Sequence, residues 1–150
     1  MDNLAVAADR GPEFVAAIGF APAFEIVLEY GEVHSEITPR GTRIFRKITG
    51  GSVSGRIEGS VYPQGAGQYS QLRGDGVIDI GEHILVRDTK GEWLYVRNMG
   101  FKRSDGYNRV TTWVDADARS EHNWVLGLFF VGKVEPLDGN SVRITYFEVL

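Results

Sequence analysis

The run Val77-Ile78-Asp79-Ile80-Gly81-Glu82-His83-Ile84-Leu85-Val86-Arg87 decides how the rest of the chain is read. Ile78, Ile80, Ile84 and Val86 fall on one parity; Val77, Asp79, His83 and Arg87 fall on the other. A period of two with one apolar side is the signature of a half-buried β-strand. Glu82 lands on the apolar side. A carboxylate desolvated there suits general acid or base work near neutrality. A bulge at Gly81 would reverse the phase and turn Glu82 outward. In either phase of a regular strand, one of Glu82 and His83 faces the interior.

The same period recurs on both sides of this run. Phe24, Ile26, Leu28 and Tyr30 alternate with Glu25, Val27 and Glu29, and Leu94, Val96 and Asn98 alternate with Trp93, Tyr95 and Arg97. Val142, Ile144 and Tyr146 alternate with Arg143, Thr145 and Phe147; residues 107–115 and 124–132 also read as strands. Between them fall the turn signals Gly74-Asp75-Gly76, Thr89-Lys90-Gly91, Ser104-Asp105-Gly106 and Asp138-Gly139-Asn140. Short turns at this spacing predict an all-β antiparallel sheet. About eight strands in one small domain leave unpaired edges, and closure into a barrel removes them. Val53, Gly55, Ile57, Gly59 and Val61 read as one face of a single sharply coiled strand. The expected fold is one closed antiparallel β-barrel over residues 22–150. Residues 1–21 form an N-terminal segment with a short helix from Pro12 to Ile18, closed by Gly19. Trp124 to Gly132 is apolar on both faces and so needs a second cover, either that helix or a second subunit.

Composition narrows the class further. The chain has 150 residues, including 19 glycines and no cysteine, and a formal net charge of -4. Absent cysteine excludes disulfides, thiolate metal sites and thiol nucleophiles. The acidic balance argues against nucleic acid as partner. The start, Met1-Asp2-Asn3, lacks the positive region of a secretory signal, and no apolar window reaches membrane-spanning length. The expectation is a cytoplasmic protein with no membrane partner.

Several motif matches fail on context. Gly127 to Lys133 begins like a phosphate-binding loop, but Val134 stands where a hydroxyl must hold magnesium. The histidines His34, His83 and His122 have no metal-ligand spacing, so no metal is expected. What remains are polar groups placed to meet a ligand. Thr111, Trp113 and Asp115 share a face, so an aromatic floor would lie beside a carboxylate. Gln68 and Tyr69 lie in the glycine-rich stretch Gly65-Ala66-Gly67-Gln68-Tyr69, read as a loop through which backbone and phenol could approach a ligand.

Gly41-Thr42-Arg43, Ile48-Thr49-Gly50-Gly51, Pro63-Gln64-Gly65-Ala66, Asp75-Gly76 and Lys90-Gly91 follow one another in a set order. That order, with Trp124-Val125-Leu126 and Phe130-Val131-Gly132 after it, resembles the small calycin-like β-barrels grouped as domain of unknown function 3237. The resemblance covers roughly residues 22–150. It implies a closed barrel, often dimeric, with lyase or cyclisation chemistry on aromatic or polyketide-like substrates in some members. Arg43 and Trp124 match the family pattern. The acid and tryptophan of its Gly-Gly-Ala-Asp-Trp loop are missing from Gln64 to Tyr69, and Leu126 replaces its asparagine. Either the chemistry is lost, or the pocket is rebuilt around Glu82, His83 and Tyr69.

The function expected from these readings is that of a cofactor-independent lyase, cyclase or isomerase, acting on an apolar aromatic or polyketide-like substrate inside the barrel. Glu82, His83 and Asp115 are its candidate proton carriers, and Arg43 the candidate anchor for an enolate or carboxylate. Gln68, Tyr69, Trp113 and Trp124 would shape the pocket of a homodimer. The alternative is a non-catalytic carrier of a small hydrophobic ligand.

Overall fold

The computed structural model describes residues 18–150. Nine strands follow one another: β1 (Phe20–Thr38), β2 (Gly41–Gly55), β3 (Gly59–Val61), β4 (Gly67–Leu72), β5 (Ile78–Asp88), β6 (Trp93–Lys102), β7 (Asn108–Ala116), β8 (Phe130–Pro136) and β9 (Ser141–Val149). Every pairing is antiparallel. β5 to β9 pair in chain order, β9 pairs β1, and β1 pairs β2. The short strands β3 and β4 both bridge β2 to β5. The sheet therefore closes on itself as a ring of eight positions, one shared by β3 and β4. Such closure pairs the backbone groups an open edge would leave free.

The expected helix falls almost wholly outside the described residues; Ile18, its last position, is not helical. Among the described residues, no helix is long and apolar enough to cross a membrane.

The hairpins β4–β5 and β6–β7 turn on related chemistry. In Arg73-Gly74-Asp75-Gly76 and in Arg103-Ser104-Asp105-Gly106, arginine pairs with the aspartate two residues on. The closing glycines have φ of 86° and 96°. A β-carbon disfavours that left-handed region, hence glycine at both.

Two strand assignments change. The single coiled strand expected over residues 53–61 is broken: β2 ends at Gly55 and β3 starts at Gly59, with the chain leaving the sheet between them. A β-carbon on Gly59 would overlap the Arg87 carbonyl oxygen, so β5 passes too close for any side chain there. Residues 124–132 are likewise not one strand. Asn123–Val125 is a 3-10 turn, Gly127 has φ 77°, and β8 begins only at Phe130. The two apolar faces belong to a turn that buries Val125 and leaves Phe129 exposed.

Inward side chains fill one half of the ring. Ile26, Leu28, Ile48, Ile84, Val96, Ile144 and Tyr146 are fully buried. Phe24 stacks on Tyr146 at 4.6 Å and meets Phe130 edge-on at 5.8 Å. These are the inward parities of β1, β5, β6 and β9, so the period-two pattern correctly assigns the core in those strands. The other half of the ring is not filled and holds the cavity described next.

Candidate functional site

The strand β5 runs in unbroken register with β6 from Ile78↔Lys102 to Arg87↔Trp93. No bulge intervenes at Gly81, so Glu82 keeps the inward parity and is 2% exposed. Its carboxylate accepts three hydrogen bonds. The Tyr30 hydroxyl donates to Oε2. Gln68 Nε2 donates to the same oxygen at 3.0 Å, and Asn98 Nδ2 donates to Oε1 at 3.0 Å. A carboxylate offers about four lone-pair sites, so this acid retains acceptor capacity for a ligand. Asn98, itself fully buried, accepts from Thr112 Oγ1 at 2.6 Å and from the Tyr146 hydroxyl at 2.9 Å. Six side chains from β1, β4, β5, β6, β7 and β9 thus form one polar layer across the ring.

Tyr30 owes its place to an irregular stretch of β1. Its register with β2 slips on both sides, from Glu29↔Gly50 to Tyr30↔Ile48 and then to Val33↔Arg46. Bulges re-aim side chains and recur beside functional sites. Burial, followed by the charge and hydrogen bond of Glu82, holds the Tyr30 hydroxyl far above the usual phenol range. Burial does the same to Tyr146. Both phenols therefore stay protonated and act as donors.

Above this layer lies a cavity of about 210 Å³. Its floor is Tyr30, Gln68 and Glu82, and its apolar wall includes Val134 and Val142 of β8 and β9. Arg46, Ser70, Lys102 and Asn108 also line it. Arg46 lays its guanidinium 4.3 Å over the Tyr30 ring. Three buried polar atoms have no hydrogen-bond partner among the described residues: Arg46 Nε, Ser70 Oγ and Asn108 Oδ1. All three belong to side chains lining this cavity.

The other sequence candidates are placed as follows. Gln68 is in the cavity, but on strand β4 rather than in a loop, and Tyr69 therefore points the opposite way. Tyr69, His83, Trp113 and Asp115 lie on the outer surface. There Phe45, Tyr69, His83, Tyr95 and Trp113 form a row with successive ring centroids 5.0–6.1 Å apart. His83 Nδ1 bonds the Tyr95 hydroxyl. Arg43 is exposed on the outer parity of β2, and Arg46, three residues on, takes the inner position. Trp124 sits away from the cavity, packed on Phe130 and under the Arg56 guanidinium at 3.6 Å.

Tyr30, Ser70, Asn98, Asn108 and Thr112 are not singled out by the sequence, and Arg46 stands out only as one of the basic group Arg40, Arg43, Arg46 and Lys47, which reads as a solvated strand edge or a phosphate site. For Tyr30 and Asn98 a signal is present, since each ends an apolar parity as Glu82 interrupts one. Arg46 has no such signal, because the inward parity of β2 near the cavity is not apolar throughout.

A second polar cluster lies at the far end of β5. His122 Nε2 and Asp88 Oδ2 are 2.6 Å apart and both residues are buried. Asp88 Oδ1 accepts from the backbone amides of Lys90 and Glu92 at 2.9 and 2.7 Å. His122 is therefore an interior residue, although its polar sequence context reads as an exposed loop. Among the described residues, Asp88, Glu121 and His122 are the one His/acid group close enough to share a metal ion.

Ring and cavity together define a β-barrel-like protein with a small, polar-floored internal site. Residues 18–109 match the family described as protein of unknown function (DUF3237), and the chain belongs to it. The fold is similar to a conserved protein of unknown function from Rhodopseudomonas palustris, with TM-score 0.81 and 22% identity over 90% of this chain and 99% of that one. It is similar to a beta-barrel like protein from Acinetobacter baumannii, with TM-score 0.80 and 18% identity over 93% and 99%. It is also similar to an enzyme from Penicillium herquei, with TM-score 0.73 and 20% identity over 90% and 96%. At such identities the likeness shows the fold alone. No curated protein matches the chain.

Proposed function

We propose that this protein is a cofactor-independent enzyme, a calycin-like barrel that moves a proton on a small single-ring substrate. Base-initiated isomerisation, elimination and cyclisation share such a step. One observation carries the reading: a buried glutamate, held by three donors, forms the floor of a cavity whose lining side chains include three with a buried, unpartnered polar atom. Glu82 takes a proton from carbon beside a carbonyl and returns it to a neighbouring position or to the leaving group. Tyr30, Gln68 and Asn98 fix the carboxylate, so its orientation need not be recovered during reaction. Arg46 and Lys102 supply positive charge on the side where the enolate oxygen develops.

Cavity size supports a small substrate. An apolar cavity of about 150 Å³ accommodates benzene, so 210 Å³ suits one substituted ring. Larger polyketides would have to extend through the mouth. The similarity to an enzyme from Penicillium herquei is consistent with catalysis on this fold.

The test is proton exchange in D₂O, followed by NMR on a panel of aryl ketones and enones. Catalysed loss of the α-proton signal is expected, falling roughly 10²–10⁴-fold in Glu82→Gln. No exchange above buffer, or equal exchange in the variant, overturns it. Ligand binding without exchange would establish the carrier instead, a reading favoured by the extent to which Glu82 is already hydrogen-bonded.

A further inference from the structure

The polar residues of the cavity are not evenly spread. β8 and β9 contribute only apolar residues, Val134 and Val142, whereas β1, β2 and β5 mix the two kinds, with Val33, Ile44, Ile78 and Ile80 beside Tyr30, Arg46 and Glu82. A ligand matched to this lining carries a polar group together with an apolar body, which the purely apolar β8–β9 side accepts.

The unpartnered atoms say which polar group it carries. Ser70 is 1% exposed, yet its hydroxyl has no partner among the described residues. Leaving such a group unpaired destabilises the folded protein, so a ligand that pairs it gains affinity. Arg46 is in the same position at Nε, a donor with no alternative use. The two are diagonal neighbours across the β2–β4 pairing, since Arg46 opposes Gln68 and Ile44 opposes Ser70. Diagonal positions lie roughly 7–8 Å apart, within reach of a long side chain. Arg46 and Lys102 make no ion pair with a described residue. The Arg46 guanidinium lies over the Tyr30 ring and its Nε has no hydrogen-bond partner among the described residues; the donors of a guanidinium edge match a planar acceptor. Glu82, the acid of the cavity floor, already accepts three hydrogen bonds from protein donors.

We propose that the cavity binds a small monocarboxylate with an apolar body, its carboxylate held by Arg46 and Ser70 and its body against Val134 and Val142. Lys102 reinforces the attraction from the β6 side. The inference deepens the proton-transfer reading by naming the substrate class, and it rests on that reading for the carboxylate being part of a substrate. Binding itself requires no turnover.

Calorimetric titration of the full chain with phenylacetate and with its neutral isostere phenylacetamide tests it. Phenylacetate should bind saturably and at least tenfold more tightly than the amide. Added salt should weaken it, and Arg46→Gln should remove the tenfold preference while Arg46→Lys restores part of it. Ser70→Ala should weaken phenylacetate severalfold. Equal affinity for acid and amide in the unmodified protein, no saturable binding of phenylacetate at millimolar concentration, or an unchanged preference in a folded Arg46→Gln would each overturn it. The wild-type comparison stands even if a variant does not fold. Failure here with proton exchange intact would leave Glu82 as the proton carrier and reject only the carboxylate. Success here without exchange would mean a carboxylate carrier.

Discussion

Tyr30 and Glu82, 52 residues apart in sequence, share a hydrogen bond at the buried floor of the cavity. The phenol reaches its partner because β1 slips register with β2 on both sides of it. Glu82 is inward because β5 does not slip at all. An irregular strand and a regular one together build the site.

Tyr30→Phe keeps the ring beneath Arg46 and removes only the donor. One oxygen of a buried carboxylate then loses one of its two donors. We expect a stability loss of about 1–3 kcal/mol, read by urea denaturation, and slower proton exchange by at least tenfold. An unchanged exchange rate would show that Tyr30 does not position Glu82.

Asn98 sits where two halves of the polar layer meet. Asn98→Ala leaves the buried hydroxyls of Thr112 and Tyr146 without their acceptor and Glu82 Oε1 without its donor. The loss should be roughly 3 kcal/mol. Asn98→Asp places a second acid beside Glu82 and should lower thermal stability at pH 8 more than at pH 5, as differential scanning calorimetry can measure.

Gly100 and Gly74 make a matched pair. A β-carbon on Gly100 would overlap the Arg109 carbonyl oxygen and lie 2.7 Å from the Val110 α-carbon, whereas nothing lies within 4 Å at Gly74. Gly100→Ala must part β6 from β7 and should cost more than about 2 kcal/mol. Gly74→Ala should be neutral or stabilising by up to about 1 kcal/mol. Chemical denaturation of the two variants checks the contrast.

The Asp88–His122 pair makes stability depend on acid. Burial opposes ionisation of Asp88, but the His122 hydrogen bond and two backbone amides outweigh it and hold the carboxyl below its usual range. The native group thus has the lower pKa, and the unfolded chain binds its proton first as pH falls. Its contribution is complete above an ordinary aspartate pKa of about 3.9 and is lost as pH drops through the native value. Denaturation midpoints between pH 3 and pH 6 should fall less steeply in Asp88→Asn than in the unmodified protein. Parallel profiles would exclude the pair as a source of acid sensitivity.

Much of this is legible in the order of residues. Alternation in Phe24 to Tyr30, Ile78 to Val86, Leu94 to Asn98 and Val142 to Tyr146 assigns strands and inward faces together. It places Glu82 correctly whenever β5 is taken as regular. It misreads Val53 to Val61 and Trp124 to Gly132, where parity continues across a point at which the chain leaves the sheet. Periodicity reports which residues could share a face; it says nothing of the neighbouring backbone that, at Gly59, forbids a side chain. Tyr69 and Gln68 show the same limit. Both are polar and adjacent, and only the pairing of β4 with β2 and β5 sends one inward and the other out.

By itself the sequence determined an all-β antiparallel chain, the turns between its strands, and a carboxylate on an otherwise apolar strand face, because these follow from local periodicity and turn chemistry. Tertiary structure alone decided that Tyr30, Gln68 and Asn98 converge on Glu82, that Arg46 rather than Arg43 faces the cavity, and that His122 is buried against Asp88. Those contacts join residues distant in sequence. They depend on strand register around a closed ring, where a shift of one residue moves every side chain to the opposite face.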